Sequence, residues 1–199
     1  MKLFVTLTSP YARMVRALII EKGIEDRVDV VPIQTRTLDT PLLAINPAGR
    51  VPTLVNDDGE MFDESALIID YLEAMYGPPR LAPPATWAAR RLEAHARSNL
   101  DGLSVWIREL RRLPEHRSPI ILALEEARGL RLAKEFNDIA ASGALDGPLD
   151  RVQLLLGCTF HWRDRTMLDF DWRDGNPHLS AWVDRFAERE SMQRTIPPV

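Results

Sequence analysis

Thr8-Ser9-Pro10-Tyr11-Ala12-Arg13 joins a run of β-formers, Lys2-Leu3-Phe4-Val5-Thr6-Leu7, to Met14-Val15-Arg16-Ala17-Leu18-Ile19-Ile20, which has the apolar spacing of a helix packed on a sheet. Ser9 has the chemistry of a helix N-cap. Pro10 falls at the first helical position, where its missing N–H costs nothing. The Ser9 hydroxyl thus stands at the positive end of a helix, where free backbone N–H groups and the macrodipole favour an anion. A bare capping role for Ser9 is the alternative.

Two further stretches bear on that choice. Asn46-Pro47-Ala48-Gly49-Arg50-Val51-Pro52-Thr53-Leu54-Val55 puts an X-Pro bond directly before a buried strand, a position suited to a cis proline in a tight turn. Phe62-Asp63-Glu64-Ser65-Ala66-Leu67-Ile68-Ile69-Asp70-Tyr71-Leu72 puts an acid and a hydroxyl at the start of a second apolar-striped helix.

In this order and at these separations, the three stretches resemble the soluble glutathione transferases, and most of all the serine-type bacterial members that begin with a Ser-Pro-Tyr turn. The likeness extends to the far end of the chain. There Asn176-Pro177-His178-Leu179-Ser180-Ala181-Trp182 matches the family's Asn-Pro-x-Leu-x-x-Trp helix. The resemblance implies a glutathione transferase fold: an α/β thioredoxin-like N-terminal domain followed by an all-α C-terminal domain.

Composition is compatible with that fold. The chain has 199 residues, of which 45% are hydrophobic, enough for a substantial core. With a net charge of −4 and the charges mixed along the chain, it has no basic stripe, which argues against a nucleic-acid partner. Runs such as 17–20 and 154–157 are too short to span a bilayer, and the chain enters a strand directly, so the expectation is a cytoplasmic protein with no membrane partner. Cys158 is the single cysteine, which excludes an intrachain disulfide. The four histidines, His95, His116, His161 and His178, have no metal-ligand spacing, so no metal is expected.

Residues 1–76 alternate strand and helix in the order βαβ, α, ββα, with strands at 2–7, 28–31, 53–56 and 61–62 and helices at 10–22, 40–45 and 65–75. Asp57-Asp58-Gly59 marks a hairpin turn between the last two strands. Residues 77–85, Gly77 to Ala85, hold four prolines between Pro78 and Pro84 and form a linker. From 86 to 199 the pattern is helical. Leu92, Ala96, Leu100, Leu103, Ile107 and Leu110 make one long stripe; Ser118-Pro119 opens a second helix to about Ala141; a last helix runs from about Pro177 to Arg189. Between the second and the last another helix opens at Asp150, where the family usually carries Ser or Thr and, three residues on, Asp. Here Asp150 and Gln153 stand instead, and both can still serve a capping box. Thr166-Met167-Leu168-Asp169 has the same spacing but is read as a decoy.

The resemblance assigns roles. Glutathione is the co-substrate, and only its thiolate is a useful nucleophile. The Ser9 hydroxyl donates to that sulfur, with Tyr11 as a rival donor. No histidine precedes His95, so Ser9 is read as a donor and not as an activated nucleophile. Val51 offers its backbone to the cysteinyl part, presented by a cis Pro52. Glu64 and Ser65 hold the γ-glutamyl amine and carboxylate, and Arg50 approaches the glycyl carboxylate. Tyr11, Leu103, Trp106 and Ile107 are candidates for a second-substrate pocket. Asp101 matches an acid that reaches the glutathione of a partner subunit, which implies a homodimer. The expected activity is glutathione S-transferase chemistry on small hydrophobic electrophiles, a detoxification reaction. The alternative is a glutathione-binding or protein-interaction module without catalysis.

Overall fold

The computed structural model describes residues 1–79, 81, 86–166 and 170–198, with the side chains of residues 165 and 166 excepted. It divides into two compact units, Met1–Leu81 together with Arg189–Val199, and Ala82–Glu188.

The first unit is built on four strands: β1 (Lys2–Val5), β2 (Asp29–Pro32), β3 (Thr53–Val55) and β4 (Met61–Asp63). Their spatial order is β2-β1-β3-β4, with β2 parallel to β1 and the β1–β3 and β3–β4 pairs antiparallel. The helices α1 (Pro10–Glu21) and α2 (Ser65–Met75) pack on each other, and α2 also packs on β3 and β4. This is the thioredoxin-like arrangement expected from the order βαβ, ββα. Leu3 and Val5 of β1 are fully buried, as are Ala12, Val15 and Ala17 of α1 and Ile68 and Leu72 of α2. Residues 41–44 form a short 3-10 turn, not the fuller helix expected over 40–45.

The second unit contains α3 (Trp87–Leu110), α4 (Pro119–Ala141), α5 (Arg151–Thr166) and α6 (Pro177–Ala187). Their contacts close into a ring: α3 meets α4 and α5, and α6 meets α4 and α5. Phe136, Phe160, Leu154, Leu155, Leu156 and Leu179 are fully buried. The capping box at α5 forms as expected. The Gln153 backbone N–H donates to Asp150 Oδ1 at 2.8 Å, and the Asp150 N–H donates to Gln153 Oε1 at 3.1 Å. The amide of Gln153 then reaches the carbonyls of Leu145 and Gly147 at 2.9 and 3.0 Å, tying the preceding loop to the helix. Asn137 of α4 caps α6 from outside it, accepting from the N–H groups of His178 and Leu179 at 2.9 and 3.2 Å. The Thr166–Asp169 decoy reaches into residues 167–169, outside the described residues.

The domain limits read from the sequence need correction at both ends of the helical part. Residues 86–199 do not all belong to it: the last expected helix breaks after Ala187, and α7 (Glu190–Arg194) packs on α1 in the first unit. The cause is a buried cation. Arg13 of α1 is fully buried, and its guanidinium donates to Met192 O at 2.9 Å and Thr195 Oγ1 at 3.2 Å. A buried charge needs such partners, and α7 supplies them. Arg189 and Ser191 add bonds to Glu21 at 2.7 and 2.5 Å, and Arg194 pairs with Glu25 at 2.7 Å. Of the linker, residues 80 and 82–85 lie outside the described residues. Gly77 and Pro79 are held through their carbonyls by Lys22 Nζ, at 3.0 and 2.8 Å, and so belong to the first unit.

Candidate functional site

Strand register brings three separate stretches to one end of the sheet. In the antiparallel β1–β3 pair Phe4 lies opposite Thr53, and in the β3–β4 pair Thr53 lies opposite Asp63. The C-terminal end of β1, the N-terminal end of β3 and the C-terminal end of β4 therefore share an edge. Ser9, Val51-Pro52 and Glu64-Ser65 are the residues that leave or enter the sheet there, and α1 and α2 both start from it. Two helix N-termini thus supply partial positive charge at the same edge.

Ser9 is the N-cap of α1, in extended backbone, with Pro10 behind it. Its Oγ accepts the Ala12 N–H at 3.2 Å. A serine hydroxyl has two acceptor positions and one donor, so capping occupies an acceptor position and leaves the O–H as a donor. Tyr11, the rival donor, is half-buried in the first turn of the same helix.

The Val51–Pro52 peptide bond is cis, as expected, with Pro52 buried and Val51 half-buried. Arg50 is exposed, and its carbonyl accepts from Thr53 Oγ1 at 2.8 Å. Sequence reasoning assigned nothing to Asn46, yet this residue, 1% exposed, organises the loop. Its Nδ2 donates to Thr53 Oγ1 at 2.9 Å and to Asp63 Oδ2 at 3.4 Å, while its Oδ1 accepts from the Ala48 N–H at 2.9 Å. The last bond is an Asx turn, and Asn-Pro was the signal for it. Gly49 completes the bend at φ +61°, where a Cβ would also meet Leu43 at 3.1 Å.

Glu64 occupies the N-cap position of α2 at φ 64°, ψ 122°, and its side chain makes no capping bond. A glutamate with positive φ costs about 1–3 kcal/mol, a strain that clusters at ligand sites. The carboxylate is exposed beside the start of the helix, and Ser65, at N1, is buried at 1% exposure. In the helical unit Asp101 is exposed on α3, while Leu103, Trp106 and Ile107 are buried, Trp106 packing edge-on against Phe170 at 4.7 Å. Among the described residues no group of three or more His, Cys, Asp or Glu side chains could hold a metal ion, and no helix is long and apolar enough to cross a membrane.

Comparison with known proteins agrees with this geometry. Residues 3–80 match the family model described as "Glutathione S-transferase, N-terminal domain". The uncharacterized GST-like protein YibF of Escherichia coli is 30% identical over 100% of this chain and 99% of its own length. Glutathione S-transferase GstB of Escherichia coli is 28% identical over 79% of this chain and 78% of its own. A glutathione transferase family member from Pseudomonas fluorescens, solved with bound glutathione, superposes with a TM-score of 0.90 at 30% identity, covering 100% of this chain and 99% of that one. A thioredoxin-like sheet followed by a helical unit, with this likeness along the whole length, establishes that the chain belongs to the glutathione S-transferase family.

Proposed function

We propose that the chain is a serine-type glutathione transferase, in which the Ser9 hydroxyl stabilises the glutathione thiolate for attack on small hydrophobic electrophiles. The observation that carries this reading is the Ser9–Ala12 cap, which fixes the hydroxyl at a helix N-terminus with its O–H still to donate. Free thiols ionise near pH 8.5. Lowering that by about two units takes about 2.7 kcal/mol. A hydrogen bond to a charged acceptor supplies roughly 1.5–3 kcal/mol, and a helix N-terminus about 0.3–1. The two together suffice without a general base. The thiol proton leaves to solvent, the sulfur lone pair forms the new C–S bond, and with a halonitroarene the halide departs with the carbon–halogen electrons.

Around that sulfur, the Val51 backbone pairs with the cysteinyl residue next to Pro52. Ser65 and the α2 N-terminus take the γ-glutamyl carboxylate, Glu64 the amine, and Arg50 the glycyl carboxylate. The strained backbone of Glu64 supports its role as a ligand group. Tyr11, half-buried in the first turn of α1, stands as a residue that meets the electrophile. The active species is a homodimer in which Asp101 reaches the glutathione of the other subunit. Glutathione conjugation of such compounds would serve detoxification.

A crystal of the protein with glutathione, paired with turnover of a halonitroarene, tests this. Sulfur within about 3.5 Å of Ser9 Oγ and glutathione-dependent conjugation are expected. Thermal stabilisation by glutathione without turnover of any electrophile would make the protein a binding module instead, and sulfur bonded to Tyr11 would transfer the role to the phenol.

A further inference from the structure

We propose that Arg163 and Asn99 form an interior receptor for a small monovalent anion of chloride size, inside the four-helix ring. Arg163 of α5 and Asn99 of α3 are each 1% exposed. The guanidinium lies over the rings of Phe160 and Phe170, 5.0 and 5.1 Å from their centroids, and Nη2 donates to Asn99 Oδ1 at 2.9 Å. Among the described residues nothing accepts from Arg163 Nε, Arg163 Nη1 or Asn99 Nδ2. The Asn99 amide cannot be turned to improve this, because a guanidinium has no acceptor to offer its NH2 group.

What remains over is therefore donors alone, together with a buried positive charge. A water molecule would accept from them but brings donors of its own and no charge; an anion accepts along one edge of the guanidinium and neutralises it. The adjacent carboxylate, Asp164, already accepts from Arg173 and from Trp172 Nε1, each at 2.7 Å. Burial pushes the Arg163 guanidinium down to about 9, partly opposed by Asp164, which leaves it charged at neutral pH. The site is closed on the α4 side, where a Cβ on Gly129 would lie 3.1 Å from Arg163 Nη2 and 3.3 Å from the Phe170 ring. With Arg163 and Asn99 each withdrawn from solvent, a small ion reaches these donors where an organic ligand does not.

The test is the melting temperature of the whole protein in sodium chloride or bromide against sodium gluconate at equal ionic strength, with a bromide-soaked crystal. A saturable rise of about 3 °C in halide is expected, with an anomalous bromide peak in hydrogen-bond reach of Arg163 Nε or Nη1. Asn99→Asp, which brings a carboxylate to the same guanidinium, should melt in gluconate where the unsubstituted protein melts in saturating chloride, and should ignore halide. Arg163→Met provides the check if that variant does not fold: it should lose the halide response. Equal melting temperatures in chloride and gluconate, an ordered water where bromide is expected, or a halide response retained by Arg163→Met would each overturn the proposal.

Discussion

Ser9 Oγ lies 3.2 Å from the Ala12 nitrogen and accepts its hydrogen, so one side chain both starts α1 and keeps a proton to donate. Ser9→Ala removes both functions. The lost cap should cost about 1 kcal/mol of stability. The lost donor should cut kcat/KM for glutathione conjugation about 10- to 100-fold, corresponding to roughly 1.5–3 kcal/mol. Tyr11→Phe should leave both nearly unchanged. Thiolate absorbance of bound glutathione against pH separates the two effects, since only the donor's loss should raise the thiol pKa.

Asn46 should act on binding and not on chemistry. Its amide holds the 46–52 loop to Thr53 and Asp63, so Asn46→Ala removes these bonds at about 1–3 kcal/mol. The expected signature is a lower melting temperature and a raised KM for glutathione with kcat nearly intact. A fall in kcat alone would contradict it.

Much of this was legible in the sequence, for physical reasons that differ by element. Ser9-Pro10 and Ser118-Pro119 announced helix starts because proline and a hydroxyl act locally, and both helices begin at the proline. Gln153 in place of an acid still closed the capping box, because the box asks for a side chain of the right reach and not for one residue type. Glu64 gave no hint of its positive φ, since glutamate is not a residue that favours it. Nor could periodicity show that Arg13 would find its partners 179 and 182 positions later.

The acid-side stability of the α7 attachment has a definite sign. Burial of the Glu21 carboxylate, the largest influence, opposes its ionisation. The hydrogen bonds from Arg189 and Ser191 and the Arg189 charge outweigh it and hold the pKa below the ordinary 4.5. Because the folded pKa lies below the unfolded one, this contribution is complete above about pH 4.5 and is lost as pH falls through the folded value. Hydrogen exchange of the 190–195 amides should accelerate in that window. In Glu21→Gln the amides should exchange faster at neutral pH, with the acid step largely gone.

Asp150 has the opposite sign. Burial raises its pKa above the ordinary 3.8 against hydrogen bonds from the Gln153 and Val152 backbone, so its contribution is complete below 3.8 and lost as pH rises through the folded value. Asn caps as well as Asp and carries no charge to bury. Asp150→Asn should therefore match or exceed the unsubstituted protein in chemical denaturation at pH 7, whereas Asp150→Ala should lose about 1 kcal/mol.

Because Met192 and Thr195 receive the Arg13 guanidinium, the sheet-bearing unit is assembled from two stretches far apart in sequence, residues 1–81 and the stretch from Arg189 onward. On the ribosome the earlier stretch would emerge and wait for the whole helical unit to be made before that buried cation could be matched. A fragment halted after residue 81 would carry the same arginine with no such neighbours, and would need the closing residues supplied separately or fused on before it could be expected to fold.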